Sequence, residues 1–166
     1  GEGFYSLKAD FAILQRALIN FCLDMARKNG YKEMTLPILI NRSAATNSGH
    51  LPKFEEGMYK TKDGFYLSPT EEVGLLNLYA GKILNEKDFP INICSFMPSF
   101  RTEKGATKGM IRSHQFDEVE LFKIVEPKDS SKELQKMIKN VTIILKALKL
   151  PYHIKLLPAL DLSMQN

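Results

Sequence analysis

The chain has 166 residues, 44% of them hydrophobic and 25% charged, with a formal net charge of +4 and a sequence pI near 9.0. These values fit one folded domain with a real core. They exclude a low-complexity chain, and no apolar run approaches the ~20 residues that a membrane span needs. The first ten residues, GEGFYSLKAD, lack the apolar centre of a signal peptide and run directly into structure without a methionine, as the middle of a longer chain would. The basic balance admits a polyanionic partner such as RNA or a nucleotide without requiring one. Only two cysteines occur, Cys22 and Cys94, each within an apolar pattern. Both are predicted to be buried free thiols, which argues for a reducing, cytoplasmic compartment and against a disulfide or zinc framework.

In chain order, Phe11, Leu14, Leu18, Phe21 and Met25 recur at steps of three and four, predicting a helix over 8–28 with that stripe as its apolar face and Gly30 as its stop. YKEMTLPILI (31–40) reads as a strand whose Pro37 belongs at an edge or sheet boundary. Residues 41–56 are polar and small, a loop with room for one helical turn. KTKDGFYLSP (60–69) carries Asp63-Gly64 between two β-prone runs, a hairpin signal. Residues 70–86 read as a helix with Thr70 at its N-cap and Glu72 in the first turn. Residues 89–103 and 114–125 are extended, with a Gly/Lys loop between them. A helix over 130–149 opens with a Ser130/Glu133 capping box, buries Leu134, Ile138, Val141, Leu145 and Leu148, and stops before Pro151. YHIKLL (152–157) reads as a further strand. No internal repeat occurs. Hairpin-linked strands with long flanking helices predict an α+β domain, an antiparallel β-sheet flanked by helices.

The stretch with most chemistry is FRTEKGATKGMIRSHQFDEVE, 100–120. Residues two apart on a strand share a face, so Arg101 and Glu103 point together. Arg112, Phe116 and Glu120 do the same if the strand reaches back to Arg112. An arginine fork suits a phosphate, an aromatic ring suits a purine, and carboxylates suit an exocyclic amine or an ammonium. Alternating charges are also the pattern of a solvated face with Arg–Glu pairs across it, and a lone Phe also suits a core. His114 reads as a structural, hydrogen-bonded histidine, and His50 and His153 have no partner pattern nearby. Neither G-x-x-x-x-G-K-[ST] nor G-x-G-x-x-G occurs.

FRTE, a glycine-containing loop and GMIRSHQFDEVEL together resemble motif 2 of the class II aminoacyl-tRNA synthetases, and IR-x-HQF-x-x-VEL resembles the seryl members. Collinear pieces agree. Residues 8–40 resemble motif 1, SGHLPKFEE (48–56) resembles the G-x-LPKFEE segment, and YLSPTEEVGLLNLY (66–79) resembles the TxE region with Thr70 and Glu72 as its pair. Motif 2 spans about 96–124, and LKLPYHIKLL (148–157) resembles the segment after the long helix. The resemblance implies a class II catalytic domain, incomplete at its C-terminal side. Its substrates would be serine, ATP with Mg²⁺, and tRNA(Ser), and it would form a homodimer through motif 1.

By that resemblance Arg101 holds the α-phosphate and the serine carboxylate, Glu103 contacts the adenine amine, Arg112 reaches the γ-phosphate and Phe116 stacks on adenine. Thr70 and Glu72 bind the serine amino group and Glu120 its hydroxyl, while Lys104 and Lys108 approach the tRNA acceptor end. No metal ligand is assigned within these residues. The metal-binding glutamate and motif 3 would lie downstream and a tRNA-gripping coiled coil upstream, so this piece alone is predicted inactive. Three departures stand out. The KGATKG loop is about four residues shorter than the usual loop, Glu118 stands where lysine is usual, and 157–166 keeps Asp161 but not the neighbouring Cys, Thr and Gly. They leave room for a second reading, a synthetase-like paralogue that binds nucleotide or RNA, or dimerises, without charging tRNA. Prolyl and threonyl enzymes share motif 2 chemistry, but the Thr70–Glu72 pair and the VEL ending at Glu120 argue against them.

Overall fold

The structure is a computed structural model that describes residues 3–102 and 110–158. The chain divides into two units, Gly1–Ile124 and Val125–Asn166. The first begins with helix α1, Asp10–Lys28. Its end is built as the sequence predicts. Gly30 sits at φ +88°, its N–H donates to the Arg27 carbonyl at 3.0 Å, and the Tyr31 N–H donates to the Ala26 carbonyl at 3.2 Å. These two bonds satisfy carbonyls that the last helical turn would leave open, and Tyr31 then packs in one core cluster with Ala26.

The face that α1 buries differs from the predicted stripe. Leu23 and Ala26 are buried with Tyr31 and Cys94, and Ile19, Phe96, Val119 and Leu121 pack around them. Phe11 and Leu14 of the predicted stripe are 68% and 51% exposed. The helix is therefore apolar on two sides. Periodicity detects a stripe but does not say which of two a sheet will cover. Cys94 is buried as expected, and Cys22 is only half-buried.

The covering sheet has strand order β1-β4-β5. Strand β1 (Lys32–Met34) lies at its edge, parallel to β4 (Ile91–Phe100). β4 runs antiparallel to β5 (Gln115–Ile124), in unbroken register from Ile91 opposite Ile124 to Phe100 opposite Gln115. The sheet is thus mixed, not wholly antiparallel as predicted, because the long connection from 35 to 90 lets β1 enter in the other sense. Pro37 marks a sheet boundary as expected. After it the chain leaves β1 and forms β2 (Leu39–Ile40), which pairs antiparallel with β3 (Tyr66–Leu67) in a separate sheet.

Between these strands lies α2 (Arg42–Asn47), capped by the Asn41 side chain, which accepts from the Ala44 N–H at 2.8 Å. The Asp63-Gly64 turn forms as predicted, with Gly64 at φ +89° and the Thr61 N–H donating to the Phe65 carbonyl at 2.8 Å. Arg42 forks onto Glu55, at 2.7 and 3.1 Å, and also reaches the Tyr66 hydroxyl, at 2.9 Å. The arginine's hydrogen bonds hold the Glu55 carboxyl down to about 2. Helix α3 is only Glu72–Asn77, shorter than the predicted 70–86, and Thr70 precedes it without capping it. Beyond it the chain turns at Gly81, φ +70°. The Asn77 side chain donates back to the Val73 carbonyl and across to that of Ala44, 2.8 and 3.0 Å away.

The second unit holds α4 (Ser130–Ala147), entered from a short 3₁₀ turn at Pro127–Asp129. Ser130 is the first helical residue, not the cap, so Glu133 stands one position too far along for the predicted capping box. It pairs with Lys136 instead. Leu134 and Val141 of the predicted buried stripe are 54% and 47% exposed. Residues 152–157 form no strand, since a strand needs a ladder partner and the described residues give this one none.

Replacing Gly30 by alanine tests the α1 stop. A Cβ there meets nothing within 4 Å, so the cost is backbone strain alone, about 1–2 kcal/mol. Urea unfolding is predicted to show that loss with an unchanged slope.

Candidate active site

Strand parity decides what faces what. On β4 and β5 the pairs Cys94–Leu121 and Phe96–Val119 face α1. The alternate pairs, Ser95–Glu120, Met97–Glu118 and Ser99–Phe116, face the other way. Arg101 continues this second set one step past the strand, its N–H donating to the His114 carbonyl at 3.0 Å. One surface of the sheet therefore carries Arg101, Phe116 and Glu120 as predicted, with Glu118 between the last two.

Arg101 is held from three sides. Its Nε donates to the Pro69 carbonyl at 2.9 Å, its Nη2 lies 3.5 Å from Glu118 Oε1, and its guanidinium sits 4.9 Å above the Phe116 ring. Glu118 is fixed in turn, because Ser99 Oγ donates to its Oε2 at 2.6 Å. The bond to Pro69 brings the 68–72 segment alongside, as does the Phe100 N–H, which donates to the Ser68 carbonyl at 3.0 Å. Thr70, Glu72 and Arg101 thus line one cleft of about 470 Å³ with His50, Phe54 and Thr102.

Arg112 does not stand on the strand. β5 starts at Gln115, so the condition for Arg112 to share the face of Phe116 fails, and Arg112 lies in an exposed bend before it. Glu103, Lys104, Lys108 and Asp161 lie outside the described residues. His114 is structural as expected. Its ring stacks on Phe4 at 4.7 Å, its Nδ1 pairs with the Tyr59 hydroxyl, and its N–H donates to the Gly3 carbonyl.

Carboxylates crowd this surface. Burial first, then the like charges of Glu118, Glu72 and Glu71, push Glu120 up to about 7 against the pull of Arg101. Glu71 is fully buried. It is also pushed up to about 7, by burial and by Glu118, although a proton donated by Ser95 to the carboxylate would oppose the rise. Burial lowers the His50 imidazole, against the opposing effect of Glu72, and Ser48 Oγ lies 3.0 Å from its Nδ1. Sequence reasoning assigned no role to Glu71, Ser95, Ser99 or His50. Counting back from Arg101 in steps of two reaches Ser99 and Ser95 and would have placed both on the site face. No sequence signal marks His50 or the burial of Glu71.

Such a surface can bind an anion through Arg101, stack a flat ring on Phe116 and take an ammonium or hydroxyl on its carboxyls. Over residues 53–165 the sequence matches the family described as tRNA synthetase class II core domain (G, H, P, S and T). The chain belongs to that family. Among relatives of this synthetase core, the serine–tRNA ligases of Hydrogenobaculum sp. (strain Y04AAS1) and Leptospira biflexa are 46% and 44% identical over 98% of the chain. The chain spans 40% of the length of either. The crystal structure of seryl-tRNA synthetase from Pyrococcus horikoshii complexed with ATP aligns with a TM-score of 0.83 at 34% identity, over 88% of this chain and 34% of that one. The cytoplasmic serine–tRNA ligase of Naegleria fowleri in complex with AMP gives 0.82 at 30% identity, over 89% and 36%. The synthetase-core α+β fold expected from the sequence is therefore the fold observed.

Because Glu71 and Glu120 hold extra protons when folded, they cost stability as pH rises from the ordinary 4.5 to about 7, and no more above that. Glu118 contributes to both shifts. Glu118→Gln is predicted to move both titration midpoints down, read by carboxyl-carbon NMR.

Proposed function

We propose that this chain is the central part of the catalytic domain of a serine–tRNA ligase. In this reading residues 8–40 serve as motif 1, 66–79 as the TxE region and 96–124 as motif 2. The observation that carries it is the convergence of Thr70, Glu72 and Arg101 on one cleft, with Phe116 and Glu120 on the adjoining sheet face. The names of the relatives and the ATP complex of the Pyrococcus horikoshii enzyme support it.

A serine carboxylate oxygen attacks the α-phosphorus of ATP, the bond to the β-phosphate oxygen breaks, and pyrophosphate leaves. The 3′-terminal ribose hydroxyl of tRNA(Ser) then attacks the seryl carbonyl, and AMP leaves. In-line displacement asks for positioning and charge stabilisation, not for a protein nucleophile. Arg101 supplies charge at the α-phosphate and orients the serine carboxylate. Phe116 offers a ring to adenine, with Glu103 at its amine and Arg112 toward the γ-phosphate. Thr70 and Glu72 take the serine ammonium and Glu120 its hydroxyl. Glu120 can do so as donor or acceptor, because it titrates at about 7. Lys104 and Lys108 serve the tRNA acceptor end.

Mg²⁺ accompanies the phosphates in this reading, but the described side chains do not fit a site for it. No group of three or more His, Cys, Asp or Glu among them could hold a metal ion. Two of the face's carboxyls are pushed toward the neutral form and Glu118 is engaged with Arg101. No step is therefore assigned to the ion here. The exposed stripe of α1, with Phe11 and Leu14 open, supports a homodimer in which a second copy covers it. The free thiols of Cys22 and Cys94 support a cytoplasmic location in this reading. No helix among the described residues is long and apolar enough to cross a membrane. A second reading, a catalytically impaired synthetase-like paralogue that binds nucleotide or RNA, or dimerises, without charging tRNA, draws on Glu118, whose carboxylate already pairs with Arg101.

Pyrophosphate exchange by the full-length protein tests the choice. Serine-dependent exchange, absent with threonine or proline, is predicted, and no exchange would favour the paralogue. Arg101→Ala is predicted to lower it by about 10²-fold or more. Phe116→Ala is predicted to raise the KM for ATP by the equivalent of about 1–3 kcal/mol. The 166 residues alone are predicted to give none.

A further inference from the structure

Glu71 lies between Thr70 and Glu72, which line the cleft, yet is not itself among the lining residues. It is 0% exposed, and one carboxyl oxygen, Oε2, is buried with no hydrogen-bond partner. The other, Oε1, is hydrogen-bonded to Ser95 Oγ. That same Oγ lies 2.6 Å from the Met34 carbonyl oxygen.

Counting protons fixes the direction of these bonds. A serine hydroxyl carries one proton, and a backbone carbonyl can only accept. At 2.6 Å the Ser95 proton must point to Met34, since otherwise two lone-pair oxygens would face each other. The contact between Ser95 and Glu71 then needs a second proton, and only the carboxyl can provide it. The chain of donation runs from Glu71 to Ser95 to the Met34 carbonyl, and so ties the start of α3 to β4 and the edge strand β1. The partnerless Oε2 agrees, because a buried neutral C=O without a partner costs far less than a buried carboxylate oxygen without one.

The surroundings favour the neutral form as well. From β5, Glu118 raises the Glu71 carboxyl, and Glu71 in turn raises Glu120. From β4 come Ser95, without charge, and Cys94, whose thiol Glu71 helps to push up. From β1 comes the Met34 carbonyl, and Arg101 is paired with Glu118. The neighbouring residues in sequence, Thr70 and Glu72, both line the cleft.

We infer that Glu71 acts as a neutral acid, a positioning residue whose proton donated to Ser95 holds Thr70 and Glu72 at the amino-acid side of the cleft. The inference deepens the serine-activating reading and rests on it for its functional half. Ionising Glu71 removes the donated proton and puts a charge next to Glu118 and Glu120, so the tether loosens as the pH climbs through about 7.

Two measurements on the full-length protein test it. Infrared difference spectra at about pH 6, where ordinary carboxyls are ionised, should show protonated-carboxyl C=O absorption from both Glu71 and Glu120, and Glu71→Gln should remove the Glu71 band and leave that of Glu120. Unchanged absorption would overturn the inference whatever the enzyme activates. In pyrophosphate exchange the KM for serine should rise about fivefold from about pH 7 to pH 8, with the KM for ATP not following. Glu71→Gln, whose amide can donate to Ser95 as the acid does, should flatten that rise, while Glu71→Ala and Ser95→Ala should raise the serine KM at every pH. Parallel serine profiles for wild type and Glu71→Gln would overturn the positioning role. Loss of the Glu71 band together with absence of any serine-dependent exchange would uphold the neutral acid, and would overturn the serine reading and the positioning role with it.

Discussion

Ten consecutive cross-strand pairs, Ile91 with Ile124 through Phe100 with Gln115, decide which side chains meet. Side chains alternate along each strand, so a slip of β5 by one residue would send Val119 to the site and Phe116 and Glu118 to the helix. The α1 face prevents that slip. Leu23, Ala26, Tyr31 and Cys94 form a buried cluster that only one parity of β4 and β5 can complete. A core of small and medium apolar groups thereby sets the register of a polar surface on the far side of the same strands. The 68–72 segment, joined to that surface at Phe100 and Arg101, then contributes the remaining cleft residues.

Arg101 is the hinge of the polar surface. A partly exposed ion pair such as the one with Glu118 contributes about 0–1 kcal/mol, and a guanidinium over an exposed ring about 0.5–1 kcal/mol. A bidentate phosphate contact is stronger than either. The contacts with Glu118 and Phe116 are thus strong enough to order the side chain and weak enough to yield to a triphosphate. They also keep the Phe116 ring covered by a cation. Glu118 acts in two directions, holding Arg101 on one side and raising the carboxyls of Glu71 and Glu120 on the other.

Much of this was legible in the sequence. The Gly30 stop, the Pro37 boundary, the Asp63-Gly64 turn and the two long strands each rest on a local rule, and each is observed. So is the shared face of Arg101, Phe116 and Glu120, which needs only a period of two. What failed was what tertiary context decides. The side of α1 that is covered, the parallel sense of β1, the early end of α3 and the lack of a strand at 152–157 depend on partners distant in sequence. Arg112 does not share the face of Phe116 for a smaller reason, since β5 starts three residues after it. The burial of Glu71 was hidden because its sequence neighbour Glu72, identical in type, is the one that faces the cleft. Two adjacent glutamates read alike until the helix that carries them is docked on a sheet.

The central claim is that this sheet face is one half of an adenylate pocket. A crystal structure of the full-length protein with a non-hydrolysable seryl-adenylate analogue tests it most directly. The account predicts adenine against the Phe116 ring, Arg101 moved off that ring onto the phosphate mimic, and the serine moiety between Thr70, Glu72 and Glu120. An analogue bound elsewhere, or bound with Arg101 still stacked on Phe116 and paired with Glu118, would contradict it.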